Sequence, residues 1–494
     1  MSFISLIRTT AALALFASLP ALADVPPHPD QIAFEPLKFE PPNAEQFRHT
    51  LSNGVVAYLA PSSEFPLVNI AFTFKGGQYL DPKDKIALAG ATGVMMRQGG
   101  TTSIPPAELD ERLDFLATTC NVGVGGTSSS ASINCLKANL DESLALLMDI
   151  LRNPGFDQKR LDVWKADMLE KLKQRNDSAD SILGREWSAL LYGRDHFEAA
   201  EPTKQSVESI TREDLQAMHK RIFHPAPGNL FIAVTGDFNE KNMLARLESA
   251  LQGWPAGEVP GDPPAPTATF KPGVYHVEKD IPQGKVQIGL RGITRDDPDY
   301  FAAMIMDNIL GGGGFTSRIT NHVRSDEGLA YSAGSDMSAP VWYPGEFDAF
   351  FQSKNSTCAL AIKIIREEID SIRSKPVTQA ELDLAKKSFI ETFPRTFESK
   401  PAMLSVFVSD EMTSRPKDFW QTYREKVNAV TADDVQRVAQ KHLTPDNMAI
   451  FVVGKWDEIY AGDLQGRATM RDFFNGEVTH LPLRDPLTLE APQK

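Results

Sequence analysis

The sequence predicts an α+β fold made of two homologous domains, each an antiparallel sheet backed by helices. An internal repeat carries strands and helices in the same order through both halves, and a proline-rich stretch separates the halves. At 494 residues, with 42% hydrophobic and 23% charged residues, the composition is that of a globular protein with room for two domains.

The repeat is clearest near the end of each half, over residues 209–236 and 429–454. Each copy has a threonine followed three positions later by an acidic residue, which is a helix-capping pattern. A helix of about a dozen residues, a proline stop and a buried strand come next in both copies. Each half also opens with two strand-like segments, at 54–59 and 68–74 in the first and at 274–278 and 285–290 in the second.

Composition sets the predicted domain boundaries. The stretch 254–272 holds six prolines among Gly, Ala and Thr and has no apolar periodicity, which is typical of an extended linker. We therefore predict an N-terminal domain over 24–253, this linker, a C-terminal domain over 273–475 and a tail over 476–494.

Residues 1–23 have the pattern of a signal peptide, with Arg8, an apolar run and the ending Ala21-Leu22-Ala23 before Asp24. The alternative is a membrane anchor, but the run is roughly a dozen residues and a spanning helix needs about 20. We expect export to the periplasm. The net charge of −14 argues against nucleic acid or an anionic membrane as a partner.

The three cysteines, Cys120, Cys135 and Cys358, form no C-x-x-C pair, so a cysteine zinc site is not available. Cys120 and Cys135 flank the turn signal Gly125-Gly126-Thr127 and are placed to face each other across a hairpin. A disulfide and two buried free thiols both remain open.

Two regions together resemble one family of zinc metallopeptidases. The strand-like segments at 50–59 and 66–77 form the first region, and the block 308–318 with its continuation to Tyr331 forms the second. They are similar to the family that includes pitrilysin, insulysin and mitochondrial processing peptidase, and the likeness covers nearly all of the chain after residue 23. It implies two halves that close like a clam shell on peptide substrates.

Active members of that family bind zinc through an H-x-x-E-H helix, which matches residues 87–95 here. Gly90 and Val94 stand where the two histidines would be, and Gly93 stands where the glutamate would be. None of these side chains binds zinc or moves a proton. The third ligand would fall at Glu170 or Lys171. A second interpretation of Gly90 and Gly93, compatible with lost catalysis, is close packing of the helix on the sheet.

In active members an Arg and a Tyr from the second half hold the substrate carbonyl, and Arg324 and Tyr331 keep that spacing and context. A cation and a phenol aimed at a developing oxyanion contribute several kcal/mol once water is excluded. The alternative is structural: Arg324 closes a helix over 316–325, and Tyr331 begins the next strand as a half-buried aromatic residue.

A run of four glycines precedes this pair, namely Gly311, Gly312, Gly313 and Gly314. One interpretation is a helix C-cap and turn. The other is substrate binding, because bare backbone can approach an extended peptide, as in the glycine-rich loop of the non-catalytic processing-peptidase subunit. The residues leave both open.

The resemblance implies the non-zinc subunit of a periplasmic heterodimeric zinc metallopeptidase. Such a chain binds no cofactor itself and is inactive alone. It supplies half of a peptide chamber and the Arg324 and Tyr331 clamp, while a homologous H-x-x-E-H-bearing partner holds the zinc. The alternative is an inactive pseudo-peptidase that acts as a scaffold or peptide-binding module. The retained Arg324 and Tyr331 favour the subunit.

Overall fold

The fold was analysed in a computed structural model that describes residues 38–492. The predicted signal peptide, 1–23, lies outside these residues. The first six-stranded sheet consists of β1 Arg48–Thr50, β2 Val56–Pro61, β3 Leu67–Lys75, β4 Thr119–Val124, β5 Ser128–Leu136 and β6 Leu230–Gly236. The second consists of β7 Gly273–Glu278, β8 Gln283–Arg291, β9 Ala330–Met337, β10 Glu346–Lys354, β11 Ala449–Gly454 and β12 Val478–Leu481.

Helices occupy most of the chain between the strands. Those of the first half are α1 Leu88–Gln98, α2 Pro106–Phe115, α3 Leu140–Arg152, α4 Gln158–Lys173, α5 Ala179–Tyr192, α6 Lys204–Ser209, α7 Arg212–Ile222 and α8 Glu240–Leu251. Those of the second are α9 Tyr300–Asp307, α10 Cys358–Ser374, α11 Gln379–Thr392, α12 Lys400–Met412, α13 Phe419–Ala429, α14 Ala432–His442 and α15 Trp456–Ala461. Two π-helical segments, Asn308–Gly312 and Thr320–Asp326, follow α9. Within the described residues, every helix is too short or too polar to span a bilayer.

Five strands of each sheet share one topology, which confirms the duplicated α+β class. Their strand orders are β1-β2-β6-β3-β5-β4 and β12-β7-β11-β8-β10-β9. Both sheets are mixed, although antiparallel sheets were expected. In each half, the strand that follows the series of helices pairs with an early strand of the same half and runs in the same direction. Thus β6 is parallel to β2, and β11 is parallel to β7.

The sixth strand is supplied differently in the two sheets. In the first it is β1, which lies just before β2 in the chain and runs antiparallel to it. In the second it is β12, which pairs in parallel with β7 and begins at Val478, beyond the predicted domain end at position 475. Part of the segment expected to be a tail is therefore an edge strand.

Matching capping boxes open α7 and α14, as the repeat predicts. Thr211 Oγ1 accepts the backbone N–H of Asp214, whose carboxylate accepts the N–H of Thr211. Thr431 and Asp434 make the same reciprocal pair at the start of α14. Each box satisfies helix N–H groups that would otherwise have no intrahelical partner, which fixes where both helices begin.

One helix of each half packs against the sheet of the other half. Trp187 of α5 packs in an apolar cluster with Phe451 of the second sheet. Phe407 of α12 packs in another cluster with Tyr58 and Phe231 of the first sheet. From Pro41 onward the described chain is consequently one compact unit.

The proline-rich stretch 254–272 has no helix or strand, and side chains from both halves hold it in place. Tyr79 donates its hydroxyl hydrogen bond to the carbonyl of Gly261 at 2.7 Å. Arg291, from the second sheet, donates to the carbonyl of Ala268 at 2.6 Å. The crossing between the halves is thus fixed at several points along its length.

The register of the hairpin β4–β5 shows whether Cys120 and Cys135 form a disulfide or are free thiols. Its register places Cys120 opposite Ile133, whereas Cys135 lies beside Val68. Cys120 and Cys135 do not face each other, and these two thiols and that of Cys358 are free and buried. Burial raises the pKa of Cys120 to about 11 and that of Cys358 to about 12, so both are neutral and unreactive.

Candidate functional site

The helix that corresponds to the zinc-binding helix is α1, and it borders a cavity of about 500 Å³. Gly90 and Val94, where the two histidines would be, both line this cavity. The hairpin β4–β5 and the helix α4 supply other walls. On the correspondence that the resemblance implies, this cavity lies where the metal of an active member would be coordinated.

The two candidate positions for the third ligand differ in their relation to the cavity. Both side chains are exposed, but only Lys171 of α4 lines the cavity. Glu170 forms an ion pair with Lys173 at 3.0 Å. The cavity therefore has no carboxylate from this part of α4.

The cavity lining, all of it in the described chain, contains neither histidine nor cysteine. Its two carboxylates are already engaged. Asp195 pairs with Lys83 at 2.8 Å, and Asp81 accepts the backbone N–H groups of Ala87 and Ala89 at 2.9 and 2.7 Å. This set does not provide the tetrahedral nitrogen, sulfur or carboxylate ligands that zinc requires.

The carboxylate of Asp81 fixes a strained entry into α1. Ala87, just before the helix, has a φ of +87°, in the left-handed region, which costs an L-residue about 1–2 kcal/mol. The two hydrogen bonds from the helix start to Asp81 hold this conformation. Burial raises the pKa of Asp81 to about 6, although both hydrogen bonds act in the opposite direction.

The two glycines of α1 differ in their surroundings. A Cβ added to Gly93 would lie 3.0 Å from Cγ2 of Val124 and 3.3 Å from its backbone nitrogen, so Gly93 allows close packing on β4. A Cβ added to Gly90 would meet no atom within 4 Å. Close packing therefore explains Gly93 and does not explain Gly90.

Arg324 and Tyr331 are brought together on the second half. The guanidinium of Arg324 lies 4.7 Å from the ring centre of Tyr331 and 4.5 Å from that of Phe315. Tyr331 is 85% exposed and Phe315 is 67% exposed. We call these three residues the aromatic–arginine clamp. Tyr331 was expected, on the structural alternative, to be half-buried, and its exposure does not fit that alternative.

The guanidinium of Arg324 contacts two aromatic rings. Within the described part of the chain, its guanidinium has neither an ion pair nor a hydrogen bond, and two rings hold it in place. Each contact with an exposed ring contributes about 0.5–1 kcal/mol. The five N–H donors of the guanidinium thus stay available to a ligand. Sequence reasoning gave Phe315 no role, and its position beside the glycine run was the available signal.

Packing explains the first three glycines of the run. A Cβ on Gly311 would lie 2.3 Å from the backbone nitrogen of Ser335, and one on Gly312 would lie 2.5 Å from Oδ2 of Asp307. A Cβ on Gly313 would lie 2.5 Å from the carbonyl oxygen of Asn308.

Gly314 has a different requirement, because its φ of +60° is in the left-handed region that favours glycine. Each of the four positions thus has a structural reason to be glycine. Contact of the run with a peptide stays a prediction.

One other cluster in the described chain has the composition of a metal site, namely Asp297, Asp299 and His442. Asp299 already receives hydrogen bonds from Arg437 at 2.8 Å and from Lys441 at 2.7 Å. Burial alone would raise the pKa of Asp299, but these bonds and the one from His442 hold it well below its usual range. Two cations neutralise this carboxylate, so the cluster is an ion-pair network.

Comparisons with known proteins give the sequence relationship. Residues 209–389 match the profile of the family described as the peptidase M16 inactive domain. A protein of Helicobacter pylori named non-peptidase homolog YmxG is 26% identical over 392 residues, which are 78% of this chain and 89% of that protein. The chain is thus similar to proteins of the M16 peptidase family, including one named a non-peptidase. An uncharacterized zinc protease of Rickettsia felis is 23% identical over 345 residues, covering 68% of this chain and 80% of that one.

Solved structures of M16 proteins share the fold of this chain. The crystal structure of a peptidase M16 inactive domain from Pseudomonas fluorescens has a TM-score of 0.73 and 23% identity, covering 83% of this chain and 97% of that one. The periplasmic protease PqqL of Escherichia coli has a TM-score of 0.71 and 15% identity, covering 83% of this chain and 45% of that one. The resemblance predicted from the sequence is confirmed.

Sequence reasoning missed the α4 wall of the cavity. Trp164, Met168 and Lys171 are spaced at i, i+4 and i+7, so they share one face of that helix, and all three line the cavity. This spacing was the available signal. It passed unnoticed because a helix face of this kind is usually buried in a core.

Proposed function

We propose that this chain is the non-zinc subunit of a periplasmic heterodimeric zinc metallopeptidase. It contributes half of the peptide chamber and the aromatic–arginine clamp, and a homologous H-x-x-E-H-bearing subunit holds the zinc. The observation that carries the proposal is a partly exposed Arg324, without an ion pair and held between two exposed aromatic rings, in a chain whose own α1 lacks the ligands.

The chemistry of the clamp supports this role. The partner's zinc supplies Lewis-acid polarisation of the substrate carbonyl and an activated water. Arg324 and Tyr331 donate hydrogen bonds to the carbonyl oxygen as negative charge develops on it. The rings of Phe315 and Tyr331 hold the guanidinium without using its N–H groups in a hydrogen bond, so these donors are available to the carbonyl oxygen.

The charge and exposure of the clamp also support a functional role. Exposed aromatic residues grouped around an unneutralised cation are unusual on a surface with no ligand or partner. A chain kept only for its fold has no need for this arrangement. The periplasmic location rests on the signal-peptide pattern of 1–23, and one protein of the same fold is described as a periplasmic protease.

A second candidate is a pseudo-peptidase that acts as a scaffold or peptide-binding module. The observation in its favour is the name of the Helicobacter pylori relative, non-peptidase homolog. Under this candidate the clamp has no catalytic task, so substitutions at Arg324 leave the activity of any assembly unchanged.

The test is to replace Arg324 in the assembled heterodimer. Arg324→Ala is expected to lower kcat by about 10²–10³, as loss of an oxyanion donor does, while size-exclusion chromatography shows intact assembly. Arg324→Lys keeps the charge without the planar fork and is expected to recover only part of the rate. Arg471, whose guanidinium lies 5.2 Å from the ring centre of Tyr460, is the matched control for Arg324→Ala.

The outcomes separate the two candidates. A loss of turnover in Arg324→Ala, with full turnover in Arg471→Ala, supports the subunit. Unchanged turnover in an intact Arg324→Ala heterodimer overturns it and leaves the scaffold.

A further inference from the structure

We propose that the cavity beside α1 is a binding site for the C-terminal residue of a peptide, with its apolar side chain inside the cavity and its carboxylate on Lys171. The site is separate from the aromatic–arginine clamp, none of whose residues lines it. The proposal needs neither the partner subunit nor Arg324.

The cavity contains space that the packing of α1 and β4 does not require. The cavity of about 500 Å³ lies within the range of ligand pockets, about 300–1,000 Å³. Gly90 from α1 and Gly123 from β4 both line it, and a Cβ on either would meet no atom within 4 Å. A glycine inside a helix is less favourable than an alanine. Gly90 thus keeps a space open at a cost to the stability of α1.

Much of the cavity lining is apolar. Val94, Trp164 and Met168 form walls on α1 and α4, and the rings of Tyr79 and Phe197 pack edge to face at 6.0 Å. The Tyr79 hydroxyl already donates to the carbonyl of Gly261, so the ring offers mainly apolar surface. An aromatic or large aliphatic side chain is the group that this lining stabilises on burial.

The lining contains four charged residues, and three of them already have partners. Lys83 and Asp195 neutralise each other, and each oxygen of Asp81 accepts a backbone N–H at the start of α1. Lys171 alone, among the charged residues of the lining, has no ion pair or hydrogen bond within the described chain. Lys171, an exposed side chain at the cavity, is therefore the cation of the lining that is available to an anionic group.

One lysine beside an apolar cavity matches a carboxylate attached to an apolar residue. A phosphate or sulfate is commonly held by several donors or by the fork of an arginine, and Lys171 stands alone. An internal residue of a peptide carries no backbone charge for Lys171 to bind. The C-terminal residue of a peptide brings the side chain and the carboxylate together.

The experiment measures binding to the full chain by isothermal titration calorimetry, with the fluorescence of Trp164 and the other tryptophans as a second readout. The probes are N-acetyl-phenylalanine, its amide, and one unstructured peptide ending in phenylalanine with a free or an amidated C-terminus. We expect both free acids to bind at least tenfold more tightly than their amides.

Two variants test the site, and each has a control. Gly90→Leu fills the cavity, and Gly184→Leu adds the same side chain to α5 where a Cβ also meets no atom within 4 Å. Lys171→Met removes the cation, and Lys173→Met removes a lysine of the same helix that is already paired. We expect at least a tenfold loss of affinity in Gly90→Leu and Lys171→Met and no loss in the controls.

Several results overturn the proposal. They are equal binding of acids and amides, full affinity in Gly90→Leu, and binding of N-acetyl-phenylalanine without binding of the peptide acid. Absence of binding by every probe, with all variants folded by circular dichroism, also overturns it. Arg324→Ala is expected to bind normally, so failure here is distinguishable from failure of the proposed subunit.

Discussion

The indole Nε1 of Trp187 donates a hydrogen bond to Oε2 of Glu346 at 2.6 Å and so ties α5 of the first half to β10 of the second. Trp187 is also buried in the apolar cluster that contains Phe451. On the other side of the molecule, α12 makes the reciprocal connection to the first sheet. Each half has a large apolar core of its own, and these two further clusters are each built from residues of both halves.

This exchange predicts that the two halves unfold together. Trp187→Ala and Phe407→Ala each remove a buried aromatic residue at a crossing point and are expected to lower the free energy of unfolding by about 3–5 kcal/mol. Calorimetry is expected to show one transition that moves to lower temperature in both variants. Phe115→Ala is the control, since Phe115 is 89% exposed. Two separate transitions would show that the halves are independent.

The two glycines of α1 predict different responses to a methyl group. Gly90→Ala is expected to raise the free energy of unfolding by about 1 kcal/mol, because alanine favours the helix and the new Cβ meets no atom. Gly93→Ala is expected to gain less, since its Cβ lies 3.0 Å from Val124 Cγ2 and the backbone of β4 lies just behind. Urea unfolding of both variants measures the order. An equal gain would show that α1 is not tightly packed on β4.

Asp348 predicts a pH-dependent stability. Burial first, and then the charges of Glu346 and Asp336, raise its pKa to about 8, from about 4 in an unfolded chain. Between these values the folded state binds more protons, so this group lowers stability as pH rises through the window. Asp348→Asn keeps the side-chain shape without the titration. It is expected to raise the free energy of unfolding by about 2–4 kcal/mol at pH 8 and to change it little at pH 4.

Denaturant unfolding across this pH range measures the effect of Asp348→Asn. The exposed Asp114→Asn is the matched control and is expected to shift stability by less than about 0.5 kcal/mol at any pH. A gain in Asp348→Asn that does not grow with pH would contradict the buried, protonated carboxyl.

The hairpin register predicts free thiols. Burial raises the pKa values of Cys120, Cys135 and Cys358, so a thiol reagent at pH 8 is expected to label none of them in the native protein. Denatured protein, without a reductant, is expected to show three reactive thiols per chain. A single reactive thiol after denaturation would indicate a Cys120 to Cys135 disulfide.

Local features of the fold were predictable from the sequence. The threonine caps at Thr211 and Thr431 identify the repeat because a capping box involves residues only three positions apart. The approach of Arg324 to Tyr331 was likewise visible from a motif within one short segment. Both depend on contacts that are close in the chain.

Long-range pairings were not predictable in the same way. The apolar faces of α5 and α12 show that these helices are buried, but not that each covers the sheet of the other half. Two further features, the state of the cysteines and the α4 residue at the cavity, depend on strand register and helical phase to within one residue. The turn position sets Cys120 opposite Ile133, and the helical phase of α4 brings Lys171 rather than Glu170 to the cavity.

Zinc-dependent peptide cleavage tests the central claim most directly. This chain, a co-expressed H-x-x-E-H homologue and their mixture are each assayed on unstructured peptides, with and without a chelator. We expect turnover only in the mixture, abolished by the chelator. Chelator-sensitive turnover by this chain alone, or no turnover in a mixture that has assembled, would contradict the account.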